Sequence, residues 1–375
     1  MEKKLPSSIS ELQTPCCLVD IDKIKENASR MRHWCEQNGI KLRPHMKTHK
    51  TIEGGDILTN GSRRKIVVST LKEAEFYADN GFDDILYAYP LTKDKLERCC
   101  QLMNRLELFH IYVDGSYGVE MLTKTAPPEG KKWSVYLGLD NGDGREGVLW
   151  DKEEGVELAK QLYMSTNINF QGIYSHEGQS YNSSNPNEIR QTGKEAHLRL
   201  MAFVEKLQAA GVPCPEYSMG ATPSCSQPDD TMKTVTEFHP GNYVFYDAMQ
   251  AAKGSCNEAN IACRIATRVI GHYPEKNHLL IDAGFLALSF DGKDAQSGGY
   301  GMTVQGHPEL RIFKMTQEIG FIQAKEGTLD FEKYAVGSMI FIYPYHSCAS
   351  AALFPEYIVH SSGNIVGTWK TVNGW

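Results

Sequence analysis

The feature that most constrains this chain is an alternation. Between residues 40 and 240, short apolar runs and amphipathic helical segments succeed one another roughly every 25 to 35 residues. Lys65–Ser69, Asp84–Ala88, Phe109–Asp114, Trp133–Asp140, Ile168–His176, Pro215–Met219 and Glu237–Val244 read as strands. Leu71–Asn80, Thr92–Leu106, Val119–Thr125, Glu153–Met164 and Glu188–Ala210 read as helices, with Gly81 and Gly211 as stop signals. Upstream, Cys17–Asp20 reads as a strand, followed by a helix in which Ile24, Ala28, Met31 and Cys35 recur every three or four residues. Gly39 ends that helix, and Ile40–Met46 forms the next strand. Strands alternating with helices indicate parallel βα units. Eight or so in succession predict a closed (β/α)8 barrel of the TIM type, usually ~250 residues long, ahead of an open doubly wound sheet.

Beyond residue 255 the pattern changes. Ile261–Tyr273, His278–Asp282, Glu309–Gln317, Phe321–Gln323, Ser338–Ile342, Ala351–His360 and Gly363–Trp369 read as strands separated by Gly, Pro and Asp turns. The expected organisation is therefore a leader over 1–16, a barrel over 17–254 and an all-β domain over 255–375. Asp291–Gly301, rich in Gly and Ser, reads as a mobile loop.

At 375 residues, the chain can bury a sizeable core. A net charge of −7 argues against a general affinity for nucleic acid or anionic membrane. No apolar run approaches the ~20 residues of a membrane helix, and the N-terminus lacks the apolar core of a secretory signal. The ten cysteines read as reduced thiols, without paired CxxC motifs, so a cytoplasmic location is expected.

Several polar clusters fall where barrel strands end, the position of functional side chains in this architecture. Arg43-Pro44-His45-Met46-Lys47-Thr48-His49-Lys50 places Lys47 just beyond a strand, as a candidate for a lysine that forms an imine. Gly142, Gly144 and Gly147 match G-x-G-x-x-G, yet the loop carries two aspartates and a glutamate that would repel a pyrophosphate, so a turn positioning Arg145 is the better reading. Ser218-x-Gly220-x-Thr222 and Gly241-Asn242 are phosphate candidates, because small residues expose backbone N–H groups and hydroxyls add donors. A lysine and a phosphate cradle together suggest pyridoxal phosphate. In the β-domain, His346-Ser347-Cys348 places an imidazole and a thiol two residues apart. On a strand these share a face and can converge on one Zn2+ while leaving positions open for water and substrate. Each cluster taken singly also fits an ordinary turn or a packed core.

Taken together, Arg43-Pro44-His45-x-Lys47-Thr48-His49-Lys50, His239-Pro240-Gly241-Asn242-Tyr243 and His346-x-Cys348 resemble the eukaryotic-type D-serine dehydratase family. That family has the alanine-racemase-like fold of type III pyridoxal-phosphate enzymes, and the resemblance covers nearly the whole chain. It implies a homodimer whose active site lies between one barrel and the partner's β-domain, with the N-terminal leader joining the β-domain. It implies that Lys47 holds the cofactor and that Tyr174, Tyr181, Thr222, Gly241, Asn242 and the adjoining Tyr243 lie at the cofactor. Arg145 would stand beside its phenolic oxygen, His239 against its pyridine nitrogen and His176 near its ring, while His346 and Cys348 would bind zinc. The implied reaction is zinc-assisted dehydration of D-serine to pyruvate and ammonia. D-threonine aldolase and 3-hydroxy-D-aspartate dehydratase are the alternatives within the superfamily. The thiol of Cys348 favours zinc, whereas the aldolases carry H-x-D and often use manganese. A non-catalytic pyridoxal-phosphate-binding protein is the alternative of another class.

Overall fold

The computed structural model describes residues 6–296 and 298–375. The chain divides into two compact units. One takes in the chain as far as Ala28 together with Asn242–Thr371; the other comprises Ser29–Gly241 and Val372–Trp375.

The second of these is the barrel. Its parallel strands run in the order Lys41–Leu42, Glu237–Phe238, Glu216–Met219, Ile168–Ser175, Trp133–Asp140, Phe109–Val113, Asp83–Tyr87 and Arg64–Val68. The ring is nearly closed, and its two end strands meet at a parallel bridge between His45 and Val67. Strand residues such as Ile66, Val67, Ile85, Leu86, Ile111 and Val135 are fully buried, as expected for parallel strands covered on both faces. Helices begin where the sequence supplies caps. Thr51 accepts from Gly54 N, Thr70 from Glu73 N, and Asn185 from Asn187 N and Glu188 N ahead of Pro186. Gly81 and Gly211 follow helix ends at φ of 79° and 73°, where a Cβ would be strained.

Buried charge lines the barrel interior. Arg43 donates from Nε to both Glu237 oxygens, at 2.9 and 3.0 Å, and from Nη1 to Asp84 Oδ1 at 2.6 Å. His110 donates to Asp84 at 3.1 Å and accepts from Ser134 Oγ at 2.7 Å. Burial alone would raise the Asp84 carboxyl, but His110 and Arg43 outweigh it and hold Asp84 far below the usual range.

The other unit is a mixed sheet. Its strands run in the order Leu310–Met315, Gly320–Ala324, His278–Ile281, Cys263–Tyr273, Cys16–Asp20, Glu356–Ser361 and Asn364–Lys370, with Met339–Tyr343 also paired to Cys263–Tyr273. Cys16–Asp20, expected to open the barrel, instead runs antiparallel to Cys263–Tyr273 and parallel to Glu356–Ser361. Its middle residues Cys17, Leu18 and Val19 are wholly buried, and such an apolar run suits the centre of either sheet. Lys47 therefore follows the first barrel strand and not the second. The expected strand 351–360 is shorter, Glu356–Ser361, and its first residue, Ala351, ends the helix Ser347–Ala351. Among the described residues, no helix is long and apolar enough to cross a membrane.

Candidate active site

Lys47 sits at the C-terminal end of the barrel strands because the chain turns sharply there. Backbone pairing continues past the formal strand, with Arg43 N donating to Phe238 O at 2.8 Å and His45 N to Pro240 O at 3.0 Å. His45 then caps the turn Met46–Thr48, accepting from Lys47 N at 3.4 Å, and its Nε2 meets Ser69 Oγ at 3.3 Å. Lys50 is spent on an ion pair with buried Glu73 at 3.1 Å. Half-buried Lys47 has no carboxylate partner among the described residues, which leaves its amine available for chemistry.

Three histidines surround this lysine, and burial keeps each of them neutral. Burial first, then Lys47, His239 and His176, lower His45 well below its ordinary value. Burial followed by the positive charges of Lys47 and Arg145 lowers His176 to about 3. His176 Nδ1 lies 2.6 Å from the Gly220 carbonyl, so Nδ1 carries the hydrogen and Nε2 is the acceptor. Burial, reinforced by His176, depresses His239 as well. The Tyr174 ring stacks on His239, and both ring nitrogens of His239 are buried without a hydrogen-bond partner among the described residues. Tyr181 lies on the Gly178–Asn182 turn, with its ring 6.4 Å from that of His176.

The expected phosphate cradle is partly filled by the protein itself. Ser218 Oγ donates to Ile173 O at 3.3 Å. Gly220 N donates to Glu177 Oε2 at 3.0 Å, and Ser224 Oγ and Ala221 N also serve the Glu177 carboxylate. Burial raises Glu177 to about 7 against these donors. Gly220 nevertheless has to be glycine, because a Cβ there would lie 2.5 Å from His239 Nδ1; at Gly241 it would lie 3.1 Å from the His45 carbonyl. Thr222 is buried at the start of the helix Thr222–Ser226. Within the Gly142–Gly147 turn, Asp140 accepts from Gly142 N at 2.8 Å and Gly144 N at 3.1 Å, so a carboxylate already holds the place a pyrophosphate would need. Arg145 pairs with its neighbour Glu146.

The metal candidates lie in the sheet unit. They do not converge by strand alternation: His346 caps the helix Ser347–Ala351, and Cys348 lies in its first turn, within hydrogen-bonding reach of the imidazole. His346 Nδ1 is 2.7 Å from Asp291 Oδ2. Asn242 belongs to this unit. Its Nδ2 reaches Asp247 Oδ2 and Ser347 Oγ at 2.8 Å and Cys348 Sγ at 3.5 Å. Asn242 and buried Tyr243 were expected at the cofactor, and the structure places the Asn242 amide beside the thiol. Buried Asp247 also accepts from Ser347 N and Gln250 N, both at 2.9 Å, which pins the residue between the two candidate ligands. Sequence reasoning missed Asp247, Asp291 and Glu177, which lie outside the three motifs.

The residues fit both implied groups. A lysine with no carboxylate partner, and His239 nitrogens with no hydrogen-bond partner, among the described residues suit pyridoxal phosphate. An imidazole beside a thiol suits zinc, although among the described residues no group of three or more His, Cys, Asp or Glu could hold a metal.

A family model described as the alanine racemase N-terminal domain matches residues 19–248, and one described as a putative serine dehydratase domain matches residues 262–360. The fold is thus that of the alanine-racemase-like, type III group, which implies pyridoxal phosphate as cofactor. The chain is 36% identical to the D-serine dehydratase of Dictyostelium discoideum, over 98% of both chains. It is 29% identical to the D-threo-3-hydroxyaspartate dehydratase of Delftia sp. (strain HT23), whose structure superposes with a TM-score of 0.92 over 99% of this chain and 100% of that one. The D-threonine aldolase of Filomicrobium marinum, at 23% identity and a TM-score of 0.87 over 99% of this chain and 98% of that one, shares the fold. The chain belongs to the D-serine dehydratase family of lyases.

Proposed function

We propose that this chain is a pyridoxal-phosphate- and zinc-dependent D-serine dehydratase that converts D-serine to pyruvate and ammonia. The observation that carries the reading is the co-occurrence of Lys47, free of any described carboxylate among neutral histidines, with a nitrogen–sulfur donor pair at His346 and Cys348. Both lie in a chain 36% identical to a D-serine dehydratase along its length.

When bound, pyridoxal phosphate supplies an electron sink that acidifies the α-hydrogen of an attached amino acid, and zinc supplies a Lewis acid for the departing β-hydroxyl. Lys47 would hold the cofactor and then, as a free amine, take the α-proton at Nζ. The neutral ring of His176, fixed by the Gly220 carbonyl, presents Nε2 as an acceptor and adds no competing positive charge. His239, held flat by Tyr174, would offer a neutral nitrogen to the cofactor's ring. Arg145, Tyr181, Ser218, Thr222, Gly241, Asn242 and Tyr243 complete the proposed cofactor set, with Ser218 and Gly220 acting through the shape of their turn because their own donors are engaged. His346 and Cys348 would hold the zinc. Family resemblance supports extending the reading to a homodimer, and ten cysteines outside any disulfide are compatible with a cytoplasmic one.

The test is a visible spectrum and metal analysis of purified protein, followed by a pyruvate assay with D-serine before and after chelation. A yellow, zinc-bearing protein that forms pyruvate only with metal is expected. A colourless protein, or turnover indifferent to chelator, would overturn the reading. The Delftia relative favours one second reading, dehydration of D-threo-3-hydroxyaspartate. The ratio of kcat/KM for the two substrates decides between them.

A further inference from the structure

We infer that Asp291 is the positioning residue of the metal site, gripping His346 by Nδ1 so that Nε2 carries the lone pair offered to the metal. The inference rests on the reading of His346 and Cys348 as metal ligands. The carboxylate of Asp291 only accepts, and it lies 2.7 Å from His346 Nδ1. The hydrogen of a neutral imidazole is therefore fixed on Nδ1, the arrangement by which a carboxylate behind a ligating histidine sets its tautomer, orients its ring and strengthens it as a donor.

The loop carrying Asp291 is built to deliver it. Gly292 has φ of 85°, and a Cβ there would sit 2.3 Å from a ring carbon of Tyr345, the residue preceding His346. A Cβ at Gly301 would lie 2.5 Å from the same ring, and Gly301 N donates to Gly292 O at 3.0 Å. Both arms of the loop thus close on Tyr345 where only glycine fits. Asp291 N donates to Ser289 Oγ at 3.2 Å, and Ser350 Oγ, on the Cys348 helix, donates to Leu288 O at 2.7 Å. The other nearby carboxylate, Asp247, is engaged by Asn242, Ser347 and Gln250. An incidental ion pair as exposed as this one, at 34% and 51%, would have no bearing on metal affinity.

The experiment measures the zinc dissociation constant of cofactor-loaded protein by chelator competition, for wild type, Asp291→Asn, Gly292→Ala and His346→Ala, with the melting temperature of each metal-free protein alongside. Asp291→Asn is expected to weaken zinc roughly 10- to 100-fold while the metal-free melting temperature stays put. Gly292→Ala, which retains the carboxylate but displaces it, is expected to shift affinity in the same direction. Wild-type affinity in Asp291→Asn, with zinc lost in His346→Ala, would overturn the role of Asp291 and leave the metal reading standing. Wild-type affinity in His346→Ala would remove the metal reading and the inference together. If Gly292→Ala fails to fold, Asp291→Asn decides alone.

Discussion

The rings of Tyr174 and His239 lie 3.8 Å apart between centroids and within 15° of parallel. Tyr174 lies at the end of one barrel strand and His239 follows another, so the stack ties two strand ends together and sets the plane of an imidazole whose nitrogens have no hydrogen-bond partner among the described residues. Tyr174→Ala removes this support, and the loss of a contact worth ~0.5–1.5 kcal/mol should weaken cofactor retention roughly 2- to 10-fold. Tyr174→Phe preserves the stack and should retain cofactor as wild type does, as read by equilibrium dialysis against free pyridoxal phosphate.

Lys47 carries both the attachment and the proton transfer in the proposed reaction. Lys47→Ala should abolish the visible absorbance of the bound cofactor and reduce D-serine turnover by ~100-fold or more, the scale of a lost general base. A variant with full turnover would show that the amine next to His45 plays no chemical part.

Glu177 gives the barrel a pH dependence of its own. Folding raises its carboxyl from 4.5 to about 7, so the folded protein holds this proton more tightly than the unfolded chain. The stability it contributes is present below pH 4.5 and declines as pH rises towards 7, by roughly 3 kcal/mol in total. Glu177→Gln cannot ionise, so the stability of wild type relative to this variant should fall between pH 5 and pH 7.5 in denaturant titrations. A constant difference across that range would refute the assignment.

The interior pairing of Arg43 has a structural role, distinct from the chemistry of its neighbour Lys47. Arg43→Met would leave Glu237 and Asp84 buried without their cation and should cost ~3–5 kcal/mol. Replacing Glu237 with Gln in the same protein should recover part of that loss, since one uncompensated charge is removed. Chemical denaturation of the single and double variants measures both.

Much of the barrel was legible because its signals are local. Trp133–Asp140 and Glu153–Met164 fall where the sequence places them, since a buried parallel strand is a run of apolar residues and a covering helix has a 3.6-residue period. Cys16–Asp20 was assigned to the wrong sheet because partner choice is non-local, and three buried residues carry no mark of which neighbours they meet. The helix Ser347–Ala351, which replaces the strand geometry expected of His346 and Cys348, leaves no trace because five residues are too few to show a period. Lys47, His346 and Cys348 stood out as motif residues. Asp291 could not, since it meets His346 only through a fold that brings together residues 55 positions apart.

The place of Cys16–Asp20 between Cys263–Tyr273 and Glu356–Ser361 also dictates an order of assembly. During synthesis this central strand leaves the ribosome before either neighbour exists, and it waits for more than three hundred residues until the second arrives. The barrel segment is complete by Gly241, while the sheet must pair its oldest strand with two of its youngest, a pairing of long sequence separation and slow closure. A fragment spanning 242–371 would therefore be born with a gap at its centre and two unpaired edges, the surfaces on which β-rich chains aggregate.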